Sequence, residues 1–256
     1  RAGAQATSCR INEITFTAGA ENRDPSVSGD GTRVAFSSTG NLTNQNADGN
    51  QEIFLYDAAA ATITQVTVTT GGLNSGPSIS GDGTSIAFMS SNDLTNQNTD
   101  GNLEIFLYEA AEGIITQVTV TTDGFEDFRL SLSGDGTRIG FESSRDLTGE
   151  NADGNYEVFL YDAAAGTIMQ VTVTTEAANG LTSVSGDGTR IAFASTGNLT
   201  NQDADGNQEI FLYDAAASTI IQVTVTPGGL NNGPSVSGQR RRIAFVHKEP
   251  SHDRRS

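Results

Sequence analysis

An all-β propeller of four-stranded antiparallel blades is predicted by the sequence, from its repeat and its composition. The motif SGDGT begins at Ser28, Ser80, Ser133 and Ser185, at steps of 52, 53 and 52 residues, and a degenerate copy, SGQRRR, begins at Ser237. Periods of this size are typical of propellers and solenoids, in which each unit needs a copy of itself to cover its apolar face. Only 36% of the residues are hydrophobic, none is Trp and 29 are Gly, which favours short strands joined by tight turns.

Four strands are predicted in each repeat. The first, PSVS, begins at Pro25, and proline is tolerated only at the start or edge of a strand because it donates no hydrogen bond. The second, RVAF, begins at Arg33, and its Ala between large apolar residues indicates burial on both faces. The third is Glu52–Asp57, EIFLYD, and the fourth is 62–69, where apolar residues and threonines alternate as in a half-exposed outer strand.

The Asp-Gly pairs between the first two strands predict hairpin turns. Asp-Gly is among the strongest sequence signals for type I′ turns, which need a positive φ at both central residues. We therefore interpret these aspartates as structural residues of turns. They are Asp30, Asp82, Asp135 and Asp187.

The repeat resembles the TolB-type β-propeller repeat, and the likeness covers nearly the whole chain. That family carries an SPDG-like turn, an IAF-like strand, an EIY-like strand and a terminal LT. The corresponding segments here read SGDGT, RIAF, NQEIFLYD and ITQVTVT, with a glycine in the place of the family's proline. The resemblance implies a periplasmic or extracellular binding platform, sometimes attached to peptidase domains, and it brings no catalytic residues with it.

A single propeller domain is expected to span residues 1–256, because the repeat runs from end to end. Four copies of the repeat are complete, and the fifth is partial. The complete repeats lie near 25–76, 77–129, 130–181 and 182–233.

Both ends of the chain are expected to share a composite fifth blade. Segment 10–25 aligns with 62–77 without gaps, so the chain opens on a fourth strand. Joining 234–246 to 1–17 would close the ring and remove open sheet edges. Segment 247–256 is predicted to be an irregular tail. An open arc that pairs with another copy is the alternative to closure.

The net charge of −17 and the isoelectric point near 4.3 argue against nucleic acid as a partner, because both molecules would be negatively charged. No run of 18 apolar residues is present, so we expect no membrane insertion. The one cysteine, Cys9, excludes an internal disulfide.

Few residues suggest catalysis. The sequence has no Gly-x-Ser-x-Gly motif, no Cys-x-x-Cys pair and no phosphate-binding glycine loop. Both histidines, His247 and His252, lie in the predicted tail, and no carboxylate pair stands outside the repeat. We therefore expect a protein that is not an enzyme and that requires no cofactor.

The loop before the third strand is a candidate cation site. Oxygen-bearing side chains occupy alternate positions there, which suits calcium because that ion takes about six to eight oxygen ligands. The loop is not an EF-hand, since its glycine comes too early. The alternative is a structural turn in which asparagines cap the loop backbone. The candidate ligands are Asn46, Asp48, Asn50 and Glu52; Asn98, Asp100, Asn102 and Glu104; Asn151, Asp153, Asn155 and Glu157; and Asp203, Asp205, Asn207 and Glu209.

Two functions remain open. One is a platform that binds a protein or peptide at the rim or central channel of the propeller. The other is a glycan-binding propeller with one shallow site per blade, in which binding either requires calcium or does not. The near-identical loops favour this function, because repeated weak sites gain avidity. We expect the protein platform, because most Phe and Tyr residues lie in predicted strands and few are free to stack on sugars.

Overall fold

The computed structural model describes residues 13–122, 129–202, 205–238 and 242–249. The all-β prediction is confirmed, since these residues form four sheets of four antiparallel strands and one sheet of two strands. We call the four-stranded sheets blades 1 to 4, and the last one the fifth sheet. Blade 1 contains β1 (Asn22–Val27), β2 (Arg33–Ser38), β3 (Glu52–Asp57) and β4 (Thr62–Gln65); blade 2 contains β5 (Asn74–Ile79), β6 (Ser85–Ser90), β7 (Glu104–Glu109) and β8 (Ile114–Gln117); blade 3 contains β9 (Leu130–Leu132), β10 (Arg138–Ser143), β11 (Glu157–Asp162) and β12 (Thr167–Gln170); blade 4 contains β13 (Asn179–Val184), β14 (Arg190–Ser195), β15 (Glu209–Asp214) and β16 (Thr219–Gln222); and the fifth sheet contains β17 (Leu230–Val236) and β18 (Ile243–Lys248).

The second and third strands pair in the same register in every blade. In blade 1 they place Phe36 opposite Phe54, and the two rings stack with their centroids 5.7 Å apart. Such stacking adds about 0.5–1.5 kcal/mol to the burial of the rings. The same pair recurs as Phe88–Phe106, Phe141–Phe159 and Phe193–Phe211.

The hydrophobic core lies between neighbouring blades. Blade 2 contributes Ile105 and Leu107 to a cluster that also holds Ile139 and Phe141 of blade 3. Similar clusters join blade 1 to blade 2 and blade 3 to blade 4. Each blade therefore covers its apolar face with the next copy, as a repeat architecture requires.

Neighbouring blades also meet backbone to backbone at the SGDG turns. The N–H of Gly29 donates to the carbonyl oxygen of Gly81 at 2.7 Å, and the N–H of Gly81 donates to that of Gly134 at 2.7 Å. A Cβ atom built on Gly81 would lie 2.9 Å from the Gly134 carbonyl oxygen. Proline would supply neither the N–H nor the space, which explains why glycine replaces the proline of the TolB-type motif.

Serine hydroxyls link the first strands of successive blades. The hydroxyl of Ser26 accepts the N–H of Ile79 in the next blade at 3.1 Å. These strands belong to different sheets. The serine hydroxyl therefore satisfies a buried backbone N–H that is not bonded within a sheet. Equivalent bonds join Ser78 to Leu132 (3.0 Å), Ser131 to Val184 (3.1 Å) and Ser183 to Val236 (3.1 Å).

The Asp-Gly turns differ from the type I′ prediction. Gly31 has a φ of 72°, but Asp30 is not in the positive region. The N–H of Gly31 closes the turn on the Ser28 carbonyl at 2.9 Å. The Thr32 N–H and the Ser28 hydroxyl donate to Asp30 and lower the pKa of its carboxyl to about 2. The prediction was wrong because these side-chain bonds hold the aspartate in an ordinary turn conformation.

The first and fourth strands differ from their predicted extents. β1 begins before Pro25, and the pairing register shifts at this proline, which therefore occupies a β-bulge. β4 ends at Gln65, four residues earlier than predicted. The ladder stops there because the hydroxyl of Thr67 accepts the N–H of Ile53 at 2.8 Å in place of a backbone carbonyl.

The fifth sheet has two strands within the described part of the chain. Residues 13–20 form no strand, and most of the expected closing strand lies outside the described residues, so closure of the ring stays a prediction. β18 extends to Lys248, two residues into the segment predicted to be irregular. His247 is held there by a 2.9 Å hydrogen bond between its Nδ1 and the side-chain oxygen of Asn231.

The two ends of the array expose residues that are buried elsewhere. Val27 of β1 is 57% exposed, whereas its counterpart Ile79 is buried. Phe245 of β18 is 40% exposed, whereas its counterpart Phe193 is fully buried. Burial at these positions therefore depends on a neighbouring blade or strand.

Replacing Phe193 with alanine is expected to lower the free energy of unfolding by about 3–5 kcal/mol, because a fully buried ring stacked on Phe211 leaves a cavity. Phe245→Ala is the matched control at the same repeat position and should cost less than about 1 kcal/mol. Chemical denaturation followed by circular dichroism measures both values. Equal losses in the two variants would contradict the blade assignment.

Gly81→Ala is expected to destabilise the protein by about 1–3 kcal/mol, because the added Cβ meets the backbone of blade 3. Gly238→Ala is the control, since a Cβ at this last copy has no described neighbour nearer than 4.0 Å. Thermal denaturation of both variants tests the contact. A stability of Gly81→Ala equal to that of the control would show that the turns do not approach so closely.

Candidate functional site

A buried carboxylate begins the third strand of every blade. Glu52 is fully buried, and its Oε1 accepts hydrogen bonds from the N–H and hydroxyl of Thr69, at 2.6 and 2.7 Å. The amide of Asn50 also donates to Oε1 at 3.0 Å, and the amide of Asn74 donates to Oε2 at 3.1 Å. Four neutral donors therefore compensate this carboxylate for the loss of water.

The same network surrounds Glu209 in blade 4. Burial raises the pKa of Glu209, but hydrogen bonds from Thr224, Thr226 and Asn207 outweigh burial and lower this pKa below its ordinary value. The amide of Asn231 completes the network at 2.9 Å. Glu209 is therefore held as a carboxylate in a protein interior.

Blade 2 differs at one atom of this network. Oε1 of Glu104 accepts bonds from Thr121 and Asn102, as in the other blades. Oε2 has no partner among the described residues. The segment that corresponds to Asn74 falls within 123–128, outside the described part of the chain.

The loop before β3 is closed by two asparagines. Asn46 is 1% exposed, and its amide nitrogen donates to the carbonyl oxygen of Asn50 at 2.8 Å. The amide nitrogen of Asn50 donates to Glu52 and to the hydroxyl of Thr69. These nitrogens therefore cap the loop backbone and anchor the loop to the buried carboxylate.

The carbonyl oxygens of the same amides accept no hydrogen bond from the described part of the chain. Within the described residues, twelve buried side-chain nitrogen or oxygen atoms lack a hydrogen-bond partner, and seven of them are Oδ1 atoms of loop asparagines. Buried polar atoms are nearly always paired in proteins, so this concentration in one repeated loop needs an explanation. The seven residues are Asn46, Asn50, Asn98, Asn102, Asn151, Asn155 and Asn207.

The central aspartates lie at the surface of these loops. Asp48 is exposed, and its Oδ2 accepts the N–H of Gly71 at 2.9 Å. Asp205 accepts the N–H of Gly228 in the same way at 3.0 Å. In blade 1 the structure thus anchors Asn50 and Asp48 at the same glycine and places Glu52 in the buried network beside them. Asp100 and Asp153 are also exposed, Glu157 is fully buried, and Asp203 lies outside the described residues.

The described residues contain no group of three or more His, Cys, Asp or Glu side chains that could hold a metal ion. A cation in these loops would therefore depend on amide oxygens in addition to the single aspartate.

Blade 3 carries a polar group at positions that vary between the blades. Nε of Arg129 lies 3.6 Å from Oε1 of Glu142, and the N–H of Leu181 donates to Oε2 of Glu142 at 2.6 Å. The side chain of Glu142 is only 12% exposed, whereas Tyr156 is 44% exposed. These residues line a cavity of about 340 Å³ between blades 3 and 4.

Sequence reasoning overlooked this group, because a search for what the repeats share passes over positions where one repeat differs. The signal is nevertheless present in the alignment of the repeats. Glu142 stands where the other blades have Ser37, Met89 and Ala194, and Tyr156 stands where they have Gln51, Leu103 and Gln208.

Shallow cavities also recur between blades. One of about 600 Å³ lies between blades 1 and 2 and is lined by Val68, Thr69 and Asp93. Another of about 490 Å³ lies between blades 2 and 3. Each presents exposed valine methyl groups beside a carboxylate. The equivalent lining residues of the second cavity are Val120, Thr121 and Asp146.

No family model matches the chain, and no curated protein is similar to it in sequence. Among solved structures, TolB from Acinetobacter baumannii is similar with a TM-score of 0.57 and 21% identity, over 89% of this chain and 49% of TolB. The chain has a TolB-like propeller fold. A prolyl endopeptidase matches with a TM-score of 0.60 and 14% identity, over 89% of this chain and 32% of the endopeptidase. A chain of a nidogen–laminin complex matches with a TM-score of 0.50 and 9% identity, over 87% and 70% of the two chains.

The resemblance to the TolB-type repeat is thereby confirmed for the fold. The chain spans about half the length of TolB and about a third of the prolyl endopeptidase. No helix of the described residues is long and apolar enough to span a membrane.

The expectation that this chain is not an enzyme, which rested on the lack of catalytic motifs, was wrong. The prolyl endopeptidase shares this TolB-like fold over 89% of the chain, so the fold occurs in an enzyme as well as in TolB. Function must therefore be argued from sites, since one fold hosts many functions.

Glu209→Gln is expected to lower the free energy of unfolding at neutral pH by about 1–3 kcal/mol, because the new amide N–H₂ would face the amide of Asn231. Glu112→Gln at an exposed position is the control. The native pKa of Glu209 lies below its ordinary value, so its contribution to stability is present above an ordinary pKa of 4.5 and is lost as the pH falls through the native pKa. Denaturation at several pH values should show Glu209→Gln converging on the unaltered protein in acid. A difference that is constant with pH would exclude the ionised network.

Proposed function

We propose that this chain is a protein- or peptide-binding platform and that its main contact site is the cavity between blades 3 and 4. The observation that carries the proposal is the convergence of Arg129, Glu142 and Tyr156 on one cavity, at positions whose residue types vary from blade to blade. Positions that only maintain the fold are alike in every blade, as the stacked Phe pairs are.

The chemistry of the cavity supports a protein partner. Arg and Tyr are enriched among the residues that dominate binding energies at protein interfaces. Glu142 is mostly buried and is held by the N–H of Leu181, so it can position Arg129 before a partner arrives. An exposed Tyr156 offers a large contact area with few rotatable bonds.

The overall charge favours a partner of opposite sign. A net charge of −17 attracts positively charged proteins and accelerates their association, particularly at low salt. We therefore propose a peptide or protein surface that carries basic residues. A periplasmic or extracellular location, which the TolB-type resemblance implies, is part of the same proposal.

Glycan binding is the second candidate. The recurring cavities beside Val68 favour it, because they offer one shallow site at successive blades and repeated weak sites gain avidity. Among the described residues, neither lining contains an aromatic residue on which a sugar ring could stack. The protein platform is therefore the better-supported function.

Selection from a displayed peptide library on the immobilised chain tests the proposal. Peptides recovered on the unaltered protein should bind Tyr156→Ala at least about tenfold more weakly, since loss of one interface hot spot costs about 2 kcal/mol or more. Gln51→Ala, at the same repeat position in blade 1, should bind them normally. Failure to recover peptides together with binding on a glycan array would favour the second candidate, and equal binding to both variants would exclude the cavity.

A further inference from the structure

We propose that the loops before the third strands of blades 1, 2 and 3 each bind one calcium ion. The ligands in each loop are the side-chain oxygens of two asparagines and the carboxylate of the aspartate between them. This inference is independent of the cavity between blades 3 and 4. The three sets are Asn46, Asp48 and Asn50; Asn98, Asp100 and Asn102; and Asn151, Asp153 and Asn155.

The buried asparagine oxygens carry the proposal. The first asparagine of each set is at most 2% exposed. Its amide nitrogen bonds the carbonyl oxygen four residues later, at 2.8 Å in blade 1 and 2.9 Å in blades 2 and 3. This bond fixes which way the amide points. The oxygen on the same amide carbon therefore also lies within the loop, where no described residue donates to it.

The other two ligands of the loop converge on one glycine. In blade 1 the amide nitrogen of Asn50 donates to the carbonyl oxygen of Gly71 at 3.0 Å. Oδ2 of Asp48 accepts the N–H of the same glycine at 2.9 Å. The amide of Asn50 and the carboxylate of Asp48 are therefore held at the same residue, beside the loop that Asn46 closes. A cation would satisfy these oxygens together.

Calcium suits this set of ligands. All of them are oxygens, which hard cations prefer, whereas zinc is bound mainly by His and Cys. Calcium also accepts backbone carbonyls and water in a coordination shell of about six to eight oxygens, while magnesium demands near-ideal octahedral geometry. With one carboxylate per loop, the expected Kd is about 10⁻⁴–10⁻³ M, which is the range of extracellular calcium modules.

Equilibrium dialysis of the purified chain against millimolar radioactive calcium tests the proposal. The triple variant Asp48→Asn, Asp100→Asn and Asp153→Asn should bind three fewer ions per chain than the unaltered protein. The matched control removes the same charge from exposed carboxylates outside the loops and should bind as many ions as the unaltered protein. Its substitutions are Glu109→Gln, Glu112→Gln and Glu249→Gln.

Thermal denaturation gives a second measurement. Calcium should raise the Tm of the unaltered chain and of the control by several degrees, because it binds the folded state, and the triple variant should not respond. If the triple variant fails to fold, each single replacement should remove one ion. Absence of bound calcium from the unaltered chain, or an equal number of ions in the triple variant, overturns the proposal and assigns the buried oxygens to water.

Discussion

The contact between neighbouring SGDG turns sets the spacing of the blades. Gly29 and Gly81 approach until their backbones share a 2.7 Å hydrogen bond, and no side chain fits between them. At this distance the hydroxyl of Ser26 reaches the N–H of Ile79, and the apolar faces of the two sheets interlock. A Cβ at the turn would separate the sheets and weaken all of these contacts at once, because packed interiors tolerate small displacements poorly.

Much of the fold could be predicted because it follows from pattern. The period of the repeat indicated the number of complete blades, and the third strand has the predicted bounds, Glu52–Asp57. The wrong predictions concern places where a side chain makes a hydrogen bond that the backbone would ordinarily make. The hydroxyl of Thr67 ends β4 early, and the hydroxyl of Ser28 changes the turn at Asp30. Hydrophobic periodicity reveals neither of these two side-chain hydrogen bonds.

The candidate site was predictable in part for a related reason. Alternate oxygen positions in the loops were visible in the sequence, but the partners of Glu52 come from Thr69 and Asn74, which are 17 and 22 residues away. Only the fold shows that described residues donate to the glutamate but not to the carbonyl oxygen of Asn46. The cavity of Arg129 and Glu142 could have been found by comparing the repeats position by position. One scaffold thus combines loops that are nearly identical in every blade with rim positions that vary between blades.

The exposure of Val27 has a consequence for how the array loses its structure. An inner blade is held by two neighbours, whereas blade 1 leaves uncovered a face that is buried in the next copy. When stability is a sum of intrinsic terms and nearest-neighbour couplings, opening begins where a coupling is missing and moves inward. Cooperativity in the described array therefore has a direction, because opening starts at its two ends, at Val27 and at Phe245, and reaches the inner blades last.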